Sequence, residues 1–408
     1  TLTSYLLDTL WSFTQCLSCF PSSPLLTLNS TSYKILRLLG EGGFSYVYLV
    51  QSPPNPQLYA LKKIRCPFGA ESVRQAMKEV EAYALFGGSK HIISAIDHAV
   101  VADKSGGGGG FGQSGDEGGG AKTVYILLPY YRRGNLQDGI NANLVNGSRF
   151  PERRLMMLFR GVCEALREMH DYKVRRKGVG KAGRVRGEAR RAAGQEGEEE
   201  QEGFLENEAG LAAEGRAEGE HRAYAHRDIK PGNIMISDDG LTPILMDLGS
   251  LSPSPTPITS RSQALAVQDT AAEHSTMPYR APELFDVKTG TTIDTKVDIW
   301  SLGCTLYACL VGKSPFEARS DETGGSLSLC VLGGDWRFPD EGGESSAKSR
   351  GKQAVTQTAD ATKSGEATIS PAVKDVVRRC LRVEPAERPD VEELISIVDE
   401  VIQGLPED

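Results

Sequence analysis

The stretch His226-Arg227-Asp228-Ile229-Lys230-Pro231-Gly232-Asn233 is followed fourteen residues later by Asp247-Leu248-Gly249, and then by Ala281-Pro282-Glu283. Upstream, Gly40-Glu41-Gly42-Gly43-Phe44-Ser45-Tyr46-Val47 lies between two predicted strands. Fifteen residues after Val47 comes Lys62, in Ala60-Leu61-Lys62 on the next strand. Glycines in such a loop let the backbone approach a triphosphate with no Cβ in the way. A strand ammonium can pair with phosphate oxygens. Taken singly, the glycines also suit a hairpin turn and the lysine a solvated surface; the order of the five segments gives each its weight.

Around these segments the pattern is that of an ordered domain. Tyr33 to Leu39, Ser45 to Gln51 and Leu58 to Ile64 are strand-like runs between glycine and proline turns, which predicts an antiparallel meander, and Val124 to Leu128 is a further β run. Helices are predicted over Glu71 to Phe86, Glu152 to Asp171, Thr295 to Val311, Ala372 to Leu381 and Val391 to Ile402 from apolar spacings of three and four. Asp390 and Glu393 suit a capping box on the last helix. The fold class expected is α+β, a small antiparallel β lobe followed by a larger, mostly helical lobe.

Of 408 residues, 45 are glycine, above the roughly 7% of ordinary proteins. Three stretches hold 23 of them and few large apolar side chains, so they cannot offset the entropy of folding and are read as disordered insertions: 103–122, 173–222 and 343–368. In the second, nine basic residues and one acidic precede ten acidic and two basic, so the two halves cancel, which suits a solvated tether. The net charge of −8 argues against a basic nucleic-acid binder. Eight cysteines, mostly scattered singly, do not make a disulfide framework, so a reducing, cytosolic setting is expected.

With the Gly-rich loop, strand lysine, H-R-D-x-K-x-x-N loop, D-x-G and A-P-E in this order, the chain resembles a eukaryotic protein kinase over about Tyr33 to Ile402. The resemblance implies a bilobal fold, with a β lobe over 33–128 and a helical lobe over 132–402. It also implies use of ATP and Mg²⁺ on protein substrates. Lys62 would hold the α- and β-phosphates, with Glu79 as its carboxylate partner and Glu81 as the fallback. Asp247 and Asn233 would supply hard oxygens to Mg²⁺. Asp228 would accept the substrate hydroxyl's proton, and Lys230 would steady the transferred phosphoryl group. Leu39, Gly40, Glu41, Gly42, Gly43, Phe44 and Ser45 would cover the nucleotide. Val47, Ala60 and Met235 would sandwich adenine, with Leu128 at the back and Pro129 to Tyr131 as the hinge. Lys230 together with Thr276 resembles the serine/threonine class. Arg227 suggests a clamp for a phosphate in the activation segment, with Thr270, Ser275 and Thr276 as candidate acceptors. Ser45 in place of the third loop glycine and Leu248 in place of the usual phenylalanine remove neither a charge nor a metal ligand.

The strings LGEGGFSYVYLV, LLPYYRRGNL, DLGS and YRAPELF resemble one branch of the Numb-associated kinases. That branch implies an autophosphorylating kinase of endomembrane trafficking or vacuole dynamics, lipid-tethered on the cytosolic face of the vacuole or Golgi, with a structured activation segment. Residues 1–32 would be the anchoring segment and 403–408 a tail. Cys16 and Cys19 lie among Trp11, Phe13, Leu17 and Phe20 just before the domain and are candidates for S-palmitoylation. The alternative of a zinc site lacks a second ligand pair. No glycine acceptor for myristate stands near Thr1, so palmitate alone is expected. The alternative to an active enzyme is a pseudokinase scaffold that binds nucleotide or partners without transfer.

Overall fold

The computed structural model describes residues 25–53, 55–102, 121–173, 221–341 and 368–407. Cys16, Cys19 and the interiors of the three expected insertions lie outside the described residues. The chain divides into two compact units, one within Thr1–Val73 and Ile96–Tyr130, the other Arg74–Ala95 with Tyr131–Asp408. The two units are those of a bilobal kinase fold.

The first unit is a six-stranded antiparallel sheet built from β1 (Leu25–Leu28), β2 (Thr31–Glu41), β3 (Ser45–Ser52), β4 (Asn55–Cys66), β5 (Asp97–Ala102) and β6 (Lys122–Pro129). Their order is β1-β2-β3-β4-β6-β5. The meander follows from alternating side chains, since the β-branched and aromatic residues of one face collect in a core of Leu28, Tyr33, Val50, Leu61 and Leu127. The sheet begins earlier than residue 33. Asn29 and Ser30 both take positive φ (44° and 73°) and close a two-residue hairpin between Leu28 and Thr31. Residues 25–32, expected to belong to the anchoring segment, are therefore the first hairpin of the sheet, held by buried Leu28.

Helix α1 (Gly69–Leu85) starts among the residues of the first unit and from Arg74 belongs to the second. The second unit then runs through α2 (Leu136–Asn146), α3 (Glu152–His170), β7 (Tyr172–Lys173), β8 (His221–Ala225), β9 (Ile234–Ile236), β10 (Pro243–Leu245), β11 (Ser252–Ser254), β12 (Thr256–Pro257), α4 (Arg261–His274), β13 (Thr292–Ile293), α5 (Lys296–Val311), α6 (Pro315–Thr323), α7 (Leu327–Gly333), α8 (Pro371–Cys380) and α9 (Val391–Gly404). Every residue of α5 from Val297 to Leu310 is buried, which is why apolar side chains occur on all its faces. A Cβ on Gly303 would stand 2.5 Å from that of Cys380, so glycine lets α5 and α8 approach closely. Asp390 caps α9 by accepting from the Glu393 N–H over 2.8 Å. Arg388 pairs with Glu283 through both carboxylate oxygens, at 2.6 and 2.8 Å.

The edges of the expected insertions need correction. Lys122 lies in β6, paired with Cys66 and Ala102. Lys173 pairs with His221 and Tyr172 with Arg222, so the ends assigned to the second insertion form a strand pair. Hydrogen bonding to a neighbouring strand overrides the polar composition that had placed them in a loop. The expected tail is also part of the domain: α9 extends to Gly404, Leu405 is buried, and Arg153 Nη1 donates to the carbonyls of Ile402 and Leu405.

Candidate active site

The expected site residues fall in both units. In the sheet, Val47 pairs with Lys62, Lys62 with Ile126, and Ala60 with Leu128. Because side chains alternate, Val47, Ala60, Lys62 and Leu128 share the face opposite core residues Leu61 and Leu127. Val47, Ala60 and Leu128, three of the expected adenine-facing side chains, therefore share one face of the sheet with the lysine. The Gly-rich turn is closed by Gly42 N–H donating to Ser45 O and Arg65 N–H donating to Phe44 O, both over 2.8 Å. A Cβ on Gly40 or Gly43 would meet nothing within 4 Å, so packing inside the protein does not require glycine there. A ligand brought against the loop backbone would. Leu39 is half-buried, whereas Glu41 and Phe44 are exposed.

In the second unit, Glu79 is buried on α1 and accepts the Tyr83 hydroxyl over 2.7 Å. Burial, then the negative charges of Glu79 and Asp247, hold the Tyr83 phenol well above its usual range. Glu81 is more exposed, so Glu79 is the carboxylate the fold takes inside. Asp247 adopts a left-handed backbone, φ 61° and ψ 70°. Asp247 Oδ1 and Glu79 Oε2 each lie 3.5 Å from where a Cβ on Gly249 would stand. Leu248, which departs from the usual phenylalanine, is fully packed at 1% exposure.

Asp228 is buried, and its carboxylate meets four donors. Oδ1 accepts from Thr276 N–H at 2.9 Å and from Thr276 Oγ1 at 2.7 Å. Oδ2 accepts from Lys230 Nζ at 2.7 Å and from Asn233 Nδ2 at 3.0 Å. Lys230 Nζ also donates to Thr276 Oγ1 over 2.7 Å. Asn233 Nδ2 gives its other hydrogen to the Asp228 carbonyl over 2.9 Å, which fixes the amide so that Oδ1 is the end available to a cation. Among the described residues no group of three or more His, Cys, Asp or Glu could hold a metal. Mg²⁺ needs only one or two protein oxygens when phosphates supply others. The oxygens of Asn233 and Asp247 fit such a role.

An aspartate outside the motif segments positions this loop. Asp298, at the start of α5 and 0% exposed, accepts Arg227 N–H through Oδ1 and His226 N–H through Oδ2, each over 2.8 Å. His170 Nε2 reaches Oδ2 at 3.0 Å. Burial alone would raise the Asp298 pKa, but His170, the His226 charge and the Arg227 N–H outweigh it and hold the carboxyl below its usual range. Met235 on β9 and Tyr131 are half-buried, and desolvation followed by the charge of Asp238 raises the Tyr131 phenol.

The activation segment carries α4, with Thr270 exposed on it and donating to Ala266 O. Ser275 donates to Ala271 O and accepts from Arg280 Nε over 2.7 Å. Thr276 sits in the Asp228 cluster. None of these three candidate acceptors is the hydroxyl that Arg227 meets: its Nη2 donates to Thr256 Oγ1 over 3.2 Å. The sequence hint for Thr256 is its place in a run of hydroxyl–proline pairs, Ser252 to Pro257.

The sequence matches the model of the protein kinase domain over residues 33–177 and 220–397. It is 33% identical over 375 residues to serine/threonine-protein kinase ppk13 of Schizosaccharomyces pombe, covering 92% of each chain. It is 34% identical over 396 residues to serine/threonine-protein kinase ENV7 of Saccharomyces cerevisiae, covering 93% of this chain and 94% of that one. With human serine/threonine-protein kinase 16 the identity is 30% over 313 residues, covering 77% of this chain and 80% of the relative.

Proposed function

The chain belongs to the protein kinase family and is a serine/threonine protein kinase, and on that premise we propose that it transfers the γ-phosphate of Mg-ATP to protein hydroxyls through Asp228, autophosphorylates, and works while lipid-anchored to endomembranes.

The observation that carries the catalytic part is the Asp228 carboxylate with Lys230, Asn233 and Thr276 gathered on it. A substrate hydroxyl placed against Asp228 would give up its proton there, and Lys230 would meet the charge that develops on the phosphoryl oxygens. When bound, Mg²⁺ would supply positive charge against that developing on the phosphate oxygens. Asn233 Oδ1 and Asp247 would hold it. Lys62 and Glu79 would orient the α- and β-phosphates, and the open glycine positions would let the loop backbone lie against them. Asp298 would keep the loop in register by holding two successive N–H groups. The test is phosphate incorporation from Mg-ATP into a protein substrate by the full chain beside Asp228→Asn. Equal incorporation in both would refute the assignment.

The anchor rests on Cys16 and Cys19, whose neighbours Trp11, Phe13, Leu17 and Phe20 suit an interface. Two acyl chains give stable membrane binding where one is marginal. On this reading the kinase sits on the cytosolic face of vacuole or Golgi membranes and acts on trafficking or vacuole dynamics. Replacing both cysteines by serine should move the protein from the membrane pellet to the supernatant; retention in the pellet would count against the anchor.

A further inference from the structure

We propose that Phe68, which lies outside every motif segment, is a positioning residue for the nucleotide: its ring holds Phe44, at the tip of the Gly-rich turn, and keeps that turn in the pose that lies over the phosphates of ATP. The proposal rests on the Mg-ATP reading of the turn, because the property it sets is affinity for the phosphates.

Phe44 and Phe68 are the two phenylalanines that the described part of the protein leaves exposed, at 56% and 74%. They meet each other edge to face, with ring centroids 6.3 Å apart and planes at 71°. That geometry sets the positive edge of one ring against the negative face of the other. Neither ring belongs to the sheet core of Leu28, Tyr33, Val50, Leu61 and Leu127. Folding of the sheet gains little from two rings so exposed. The effect of their contact falls on the position of the turn.

The contact joins a loose element to a firm one. The turn carries Gly40, Gly42 and Gly43, and glycine leaves the backbone its widest choice of conformations. A Cβ on Gly40 or Gly43 would meet nothing, so packing does not confine the turn at those positions. Phe68 stands on a fixed segment. Cys66, fully buried, ends β4 in register with Lys122. Pro67 has its φ locked by its ring. The Phe68 N–H donates to Ser72 Oγ over 2.9 Å, in the first turn of α1.

Segment 65–68 grips residues 44–46 at three points. The Arg65 N–H holds the Phe44 carbonyl over 2.8 Å, and the Arg65 guanidinium lies 5.2 Å from the centre of the Tyr46 ring. These two fix backbone and strand. The Phe68 ring alone acts on the side chain at the tip. A turn already held in its binding pose loses less freedom when the ligand arrives, and a ligand's apparent affinity scales with the fraction of protein in the competent pose. The tip serves the phosphates, whereas Val47 and Ala60 serve adenine. The gain therefore goes to ATP and not to adenosine.

To test this, binding of Mg-ATP and of adenosine to the full-length protein is measured by isothermal titration calorimetry. Phe68→Ala should weaken ATP by about three- to ten-fold, the range of one aromatic pair, and leave adenosine within about two-fold. Phe68→Tyr keeps the ring and should bind ATP as wild type does. Because Phe68 acts through Phe44, the double variant Phe44→Ala/Phe68→Ala should bind ATP no more weakly than Phe44→Ala alone. Unchanged ATP affinity in Phe68→Ala overturns the proposal. So does an equal loss for ATP and adenosine, which would mean general damage to the sheet, and so do additive losses in the double variant. A wild type that bound neither ligand would sink the nucleotide reading itself and the proposal with it, a result distinct from the other three.

Discussion

Thr276 Oγ1 lies 2.7 Å from Asp228 Oδ1 and 2.7 Å from Lys230 Nζ, so one hydroxyl of the activation segment ties together the two side chains assigned to transfer. A hydrogen bond to a charged group contributes about 1.5–3 kcal/mol, so Thr276→Ala should lower kcat/KM by about ten- to hundred-fold. Thr276→Ser keeps the hydroxyl and should recover most of it. Steady-state kinetics on a peptide substrate checks both; an Ala variant with wild-type kcat/KM would remove Thr276 from the site.

Glu79 and Glu81 make a paired prediction. Glu79 is buried against Tyr83, whereas Glu81 is more exposed. Glu79→Gln keeps an oxygen for the Tyr83 hydroxyl but removes the charge, and should cost at least about ten-fold in kcat/KM for ATP, which is about 1.4 kcal/mol. Glu81→Gln should stay within about two-fold. A reversed pattern in ATP kinetics would assign the partner of Lys62 to Glu81.

Arg388 and Glu283 bear on stability alone. Removing one member of a buried pair leaves the other uncompensated, so Arg388→Met should destabilise the second unit by about 3–5 kcal/mol. The double variant Arg388→Met/Glu283→Gln should lose less than the two single losses added. Urea denaturation followed by circular dichroism measures the cycle, and strict additivity would count against coupling.

Asp298 predicts a pH dependence. Its folded pKa lies below the unfolded value of about 3.9, so its contribution to stability is present above that value and is lost as pH falls through the folded pKa. The stability gap between wild type and Asp298→Asn should therefore be constant from pH 7 to about 5 and shrink below about 4. Thermal unfolding across pH 3 to 7 reads this; a gap that persists at pH 3 would contradict it.

Much of the site is legible in the sequence because its chemistry needs fixed residue types at fixed spacing. The Asp228 to Asn233 segment can be read this way, since both residues act from one turn. Contacts between distant segments cannot. Nothing in the spacing of Arg227 and Thr256, 29 residues apart, or of His226 and Asp298, 72 apart, announces that they touch. The helices read correctly, such as α3, have a broad apolar face. Helix α4 escaped notice because it buries only Ala264 and Ala271, side chains too small to mark a periodicity. Hairpin β1–β2 escaped because its turn, Asn29-Ser30, lacks the glycine that usually signals one.

The short pair β7–β8 has a practical meaning. Lys173 and His221 are strand partners although 48 positions separate them, and directly opposed residues of an antiparallel pair have Cα atoms only about 5 Å apart. Loop closure grows only logarithmically costly with length, so the domain tolerates almost any span there. New chain ends opened between Lys173 and His221 would emerge side by side. This seam is a ready position for grafting a reporter domain into the kinase.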